Sequence, residues 1–169
     1  MVKPAVTERN NMSIHQTAPQ TYASYSPCAV ANCFLELSRK DNIPVTNLKL
    51  QKLIYFANGL YLATTGVRLV TESFQAWTYG PVLASLYREL KIFGSDPITV
   101  KTLSCVDFIP ADALAYRTIR AVWDRMKDFS AYQLVELTHA ANSPWEKAIA
   151  RGKFSELSDT EIIQAFKKQ

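Results

Sequence analysis

Two histidines, three cysteines and five glycines are the residues here whose types could carry acid–base, metal or phosphate chemistry, and their spacing argues against each. A zinc site needs Cys, His or carboxylate ligands at short fixed intervals, yet no Cys-x-x-Cys, His-x-x-x-His or His-Glu-x-x-His occurs. His15 falls in a polar leader, leaving His139 as the histidine of the periodic part of the chain. It has no flanking acid or nucleophile in a recognisable motif, so it reads as a capped, hydrogen-bonded structural histidine. Phosphate loops need clustered glycines, whereas Gly59, Gly66, Gly80, Gly94 and Gly152 stand apart, and there is no Gly-x-Ser-x-Gly elbow. Cys28, Cys33 and Cys105 are scattered, odd in number and set among apolar neighbours, which reads as buried reduced thiols. A Cys–His nucleophile would have to join one of them to His139 with no motif behind it. The expectation is a binding module and not an enzyme, with no metal and no cofactor.

What does concentrate is an aromatic and polar strip: Phe74, Trp77, Tyr79, Gly80, Pro81 and Tyr87, with Gln51, Lys52 and Tyr55 upstream. Trp and Tyr carry large apolar area with a polar tip, so two readings stand open. Either Trp77 and Tyr79 pack a hairpin onto a helical body, or Gln51, Lys52, Tyr55, Trp77, Tyr79, Pro81 and Tyr87 form a face that anchors a partner.

The elements that must position this strip are mostly helical. Ser26-Pro27 opens a helix to about Lys40, with Val30, Phe34 and Leu37 on one stripe, and Asp41-Asn42-Ile43-Pro44 ends it. Thr46 caps a second helix, Asn47 to about Thr64. Its stripe of Leu50, Leu53, Ile54, Ala57 and Tyr61 is widened almost around the circumference by Tyr55, Phe56, Leu60 and Leu62, which predicts the central buried helix. Alternation over Phe74 to Thr78 predicts a strand, paired in a small hairpin with Leu69–Val70. Gly80-Pro81 is expected to start a helix carrying Val82, Leu83, Leu86, Tyr87, Leu90 and Phe93 to Gly94, followed by loop with a short strand near Ile98 to Lys101. Ala115, Ile119, Val122, Met126 and Phe129 define a helix from about Ala111. Three Ser-x-x-Glu/Gln boxes, at Ser130, Ser143 and Ser158, each open a short apolar-periodic run.

The predicted fold is therefore mainly α: a single compact helical-bundle domain over residues 26–169 with a small β-hairpin, behind a flexible tail of residues 1–25. Met12 is an alternative start. At 169 residues and 48% hydrophobic content the chain supports one core without staples. No apolar run approaches the roughly 20 residues of a membrane helix and no signal-peptide stretch opens the chain, so the cytoplasm is the expected compartment. The net charge of +4 does not mark a nucleic-acid face. Through Cys105 there are 10 basic and 6 acidic residues, and 9 of each follow, with no basic run.

Two motifs carry a resemblance. LKLQKLIYFA (Leu48 to Ala57) and AWTYGPV (Ala76 to Val82), followed by Leu137-Thr138-His139 and Ser143-Pro144-Trp145, resemble the Panacea domain, a former domain of unknown function also described as GepA-like or phage-associated. The likeness runs from about residue 27 to 166. It implies an antitoxin of a two-gene toxin–antitoxin operon, neutralising a cognate protein toxin by direct binding. Some relatives instead act as adaptors that deliver a toxin to an energy-dependent protease. Leu50, Leu53, Gly80, His139, Pro144 and Trp145 would then be framework residues. Some members carry an extra DNA-binding domain, for which the leader here is too short and polar.

Overall fold

The structure, a computed structural model, describes residues 21–167; the sequence-predicted tail and Met12 lie outside these residues except for positions 21–25. Among the described residues there are seven α-helices and one two-stranded antiparallel sheet, the mainly α architecture with a minor hairpin that the periodicities predict.

Helix α1 (Pro27–Asp41) starts where Ser26 Oγ accepts from the Ala29 amide, and it ends at Asn42 in a left-handed conformation that returns the Asn42 amide to helical carbonyls. Helix α2 (Asn47–Thr65) is capped by Thr46 and stopped by left-handed Gly66. It is buried at Asn47 and from Lys49 through Gly59, and it packs on α1, α3, α4, α5, α7 and the hairpin. A helix apolar almost all round has to be enclosed in this way. Around it lie α3 (Ala84–Leu90), continued by a 3-10 turn Lys91–Phe93, then α4 (Leu114–Met126), α5 (Ala131–Thr138), α6 (Pro144–Arg151) and α7 (Asp159–Lys167). Phe166 of α7 lies across Gly59, where an added Cβ would fall 2.2 Å from its ring.

Several local expectations change. The hairpin pairs β1 (Gln75–Trp77) with β2 (Gly80–Val82), not with Leu69–Val70; Val70 instead bridges Tyr25. That bridge docks residues 23–25 onto the body, with Tyr25 N donating to Leu69 O (2.8 Å), Thr71 N to Tyr25 O (2.9 Å) and Tyr61 Oη to Ala23 O (3.2 Å). Gly80-Pro81 does not open a helix. Pro81 lies in β2, where its missing N–H costs no ladder bond on that edge, and the helix begins at Ala84. No strand forms at Ile98 to Lys101; the nearby pairing is a single bridge, Thr46 with Pro97. Of the three predicted boxes, Ser130–Gln133 is reciprocal. At Ser143 the hydroxyl caps the Glu146 amide while Glu146 turns to the Asn142 amide, and Glu161 pairs with Arg151.

The cysteines are a correction. Cys28 and Cys105 form a disulfide with Cα atoms 5.8 Å apart, and only Cys33 is a buried free thiol, pushed up to about 11 by burial with help from the Glu36 charge. Spacing could not reveal this pair, because 77 residues separate the two positions. Side chains of α1 and of the loop around Asp107 tie the two segments together. Asn32 exchanges bonds with the Leu103 backbone (2.9 and 2.7 Å), and the Asp107 carboxylate accepts from Ser26 N (2.8 Å) and Ser26 Oγ (2.5 Å).

Candidate functional site

The turn of the hairpin organises the aromatic strip. Thr78 and Tyr79 span from β1 to β2 without positive φ, and Gly80 supplies the left-handed residue (φ +94°) that lets the strands close. Trp77 is held by its indole N–H, which donates to Gln75 Oε1 (3.1 Å), and its carbonyl accepts from Trp145 Nε1 (2.8 Å). Its ring lies 4.8 Å from Tyr87 of α3 and edge-on, at 5.4 Å, to Phe154 in the α6–α7 connection.

These rings line an open apolar groove of about 470 Å³ together with Leu48, Val82, Tyr79 and Lys153. Pockets that take ligands or anchoring side chains commonly fall in the range of ~300–1,000 Å³. Tyr79 is 56% exposed and Phe154 51% exposed, so large apolar area stands in water here. Of the seven predicted partner-facing residues, Gln51, Trp77, Tyr79 and Tyr87 line this groove. Gln51 has its polar ends engaged, accepting from the Leu83 amide (2.9 Å) and donating to Asn47 Oδ1 (3.4 Å), so it positions β2 and α3 more than it offers bonds outward.

Lys52, Tyr55 and Pro81 are placed differently: like Gln51 all three are buried, but none of them lines the groove. Tyr55 packs edge-on to Phe74 and Phe166, and burial raises its phenol well above the ordinary range. Lys52 is 0% exposed, and its Nζ donates to Pro81 O (2.7 Å), which latches β2 to α2. Burial pulls the Lys52 amine down to about 7. An unfolded lysine keeps its proton to about pH 10.4, so from about pH 7 upward the unfolded chain binds more protons and stability rises with pH. Burial and the nearby Lys52 charge lower His139, so its own contribution in the same direction is complete at lower pH. Cys33 opposes the rise once unfolded thiols ionise near pH 8.5. Urea denaturation should therefore show stability growing by about 1 kcal/mol between pH 7 and 8.5, and most of the rise should be lost in Lys52→Met.

His139, Pro144 and Trp145 form the support behind the hairpin. The His139 ring stacks on Trp145 at 3.6 Å between centroids, and Pro144 is buried. The hydrogen bond expected of a structural histidine is not made at Nε2, which is buried without a partner among the described residues. No carboxylate pairs with His139 among the described residues, nor do three His, Cys, Asp or Glu side chains gather as a metal would require. Leu50 and Leu53 are fully buried, as framework residues must be.

The groove also contains residues that the strip did not include: Asn47, Leu48, Val82, Ser95, Lys153 and Phe154. Leu48 and Val82 carried an apolar signal in the motifs. Phe154 carried none, because it reaches the groove through a backbone bond to β1, Phe154 N to Ala76 O (2.9 Å), made across the whole domain.

Residues 50–146, which contain most of α2, the hairpin, α4, α5 and the start of α6, match the family model described as "Antitoxin SocA-like, Panacea domain". The chain is also 39% identical, over 132 residues, to Antitoxin SocA of Caulobacter vibrioides, covering 73% of this chain and 70% of that protein. No solved structure matches it significantly. No helix among the described residues is long and apolar enough to cross a membrane. With most of the helix α2 motif, the hairpin it latches and the Trp145 support inside the matched stretch, the chain belongs to the SocA-like antitoxin family that carries the Panacea domain.

Proposed function

We propose that this protein neutralises a cognate protein toxin by direct, stoichiometric binding in the cytoplasm, with the aromatic groove as the docking surface. The observation that carries this reading is the half-exposed cluster of Trp77, Tyr79, Tyr87 and Phe154 around one open apolar groove. Interfaces draw most of their affinity from a few aromatic anchors in desolvated pockets, and this cluster has that composition. The family's antitoxin role fits such a surface, since inhibition by binding needs complementarity and not a reacting group. No enzymatic step, cofactor or nucleic acid enters the proposal.

Co-expression with the product of the adjacent reading frame tests it. Growth arrested by that product should be restored, and the two proteins should co-purify. Arrest unrelieved by this protein, at matched expression, would contradict the reading. The lifetime of the partner in cells separates sequestration from the alternative of delivery to an energy-dependent protease, because an adaptor shortens it.

A further inference from the structure

We propose that the groove takes the apolar face of an amphipathic helix of the toxin, with a carboxylate of that helix set against Lys153, so that Lys153 and Phe154 act as the lip that selects the partner. This rests on the reading of the groove as the toxin-docking surface.

The helical form of the occupant follows from the hairpin's edges. A peptide can add to a sheet only where backbone donors and acceptors are free. One edge of β1 is paired to β2. Its other edge is taken by the connection after α6: Ala76 N donates to Ser155 O (2.8 Å), Phe154 N to Ala76 O (2.9 Å) and Leu157 N to Phe74 O (2.8 Å). On β2, Pro81 has no N–H and its carbonyl accepts from Lys52. Strand addition is thus blocked, and recognition falls to side chains entering the groove. Its volume of about 470 Å³ has room for more than one apolar side chain, the arrangement that a helix offers from positions i, i+3 and i+4.

The charge of the occupant follows from the lip. Lys153 is exposed, lines the groove and makes no ion pair among the described residues; its Nζ sits 5.4 Å from the Phe154 ring centroid. An unpaired cation beside an apolar groove complements a carboxylate at the margin of an apolar helix face. Phe154 adds an independent observation. It holds a left-handed backbone (φ +68°), uncommon for an aromatic residue, while its side chain remains 51% exposed. Strain kept at an exposed ring is characteristic of binding and switch sites. Both lip residues lie outside the stretch 50–146 that matches the family model, whereas Trp77, Tyr79, Val82 and Tyr87 of the groove lie within it.

The test uses the full-length protein with the purified product of the adjacent reading frame. Lys153→Glu should weaken binding at least about tenfold and flatten its salt dependence. Phe154→Gly, which suits the left-handed backbone, should leave the melting temperature unchanged or higher while weakening binding by a similar factor. Zero-length carbodiimide coupling of the complex, read by mass spectrometry, should join Lys153 to an Asp or Glu within a helix of the toxin. Wild-type affinity in both variants, or coupling only to a strand or loop, would overturn the lip and helix while leaving direct neutralisation standing. Absence of any complex with the wild-type protein would overturn both.

Discussion

Replacing Cys105 with Ser is expected to lower the stability of the oxidised protein by about 4 kcal/mol, as measured by urea denaturation. The estimate follows from the 77-residue separation of Cys28 and Cys105. A cross-link that closes a loop of this length removes about 15 cal/mol/K of entropy from the unfolded chain in the chain-entropy description, or roughly 4.5 kcal/mol near 25 °C. The native state keeps other ties at the same place, the Asn32 bonds to Leu103 and the Asp107 bonds to Ser26, so the variant should fold with its loop in position. Two controls fix the interpretation: wild type in dithiothreitol should match Cys105→Ser, and the variant should be insensitive to the reductant. Equal stability of oxidised and reduced wild type would show that the link does not constrain the unfolded chain.

The second large effect is expected at Gly80, where alanine should cost about 2–4 kcal/mol. The residue has φ +94°, and an added Cβ would fall 2.6 Å from Thr138 Oγ1 and 3.0 Å from Lys52 Cε. Neither neighbour is free to retreat. Thr138 Oγ1 donates to Val135 O (2.7 Å), and Lys52 is fixed by its bond to Pro81 O within a fully buried site. The backbone strain and the overlap therefore add. Thermal melting of Gly80→Ala should show the loss, and binding should weaken with it because the hairpin carries two walls of the groove. A variant as stable as wild type would mean that the latch between α2, α5 and β2 is looser than these distances describe.

Much of this architecture was legible in the sequence because it is encoded by local periodicity. The all-round apolar character of Asn47 to about Thr64 identified the buried central helix, and Ser26, Thr46 and Ser130 marked helix starts that the hydroxyls do cap. The hairpin partner was not legible. Leu69–Val70 has strand-like residues, but its backbone is used by Tyr25 and by Asn58 Oδ1, which accepts from the Leu69 amide (3.0 Å). The three-residue β2 is set by the Gly80 turn, and Pro81 disguised it as a helix start. In the candidate site, the strip Gln51, Trp77, Tyr79 and Tyr87 was visible as composition. The separation of these four, which line the groove, from Lys52, Tyr55 and Pro81, which do not, depends on which side of α2 and β2 faces it. Phe154 and the Cys28–Cys105 link depend on contacts between distant segments, to which no local pattern points.

The lysine beneath the hairpin illustrates how function and stability share residues in this fold. Its side chain reads from the sequence as a polar exception open to a partner, yet its amine spends its hydrogen bond on Pro81 and holds the groove's β2 wall against α2. Loss of Lys52 would thus weaken binding indirectly. The exposed rings are the appropriate place to probe the surface itself.

The central claim, neutralisation by docking a toxin in the aromatic groove, is tested most directly at Tyr79, which is 56% exposed, lines the groove and meets the Tyr132 ring edge-on at 6.5 Å. Growth rescue and complex formation with the adjacent gene product should be compared for wild type and Tyr79→Ala, alongside their melting temperatures. The account predicts equal melting, binding weakened by about 2 kcal/mol and lost or reduced rescue. A folded Tyr79→Ala protein that binds and rescues like wild type would contradict it.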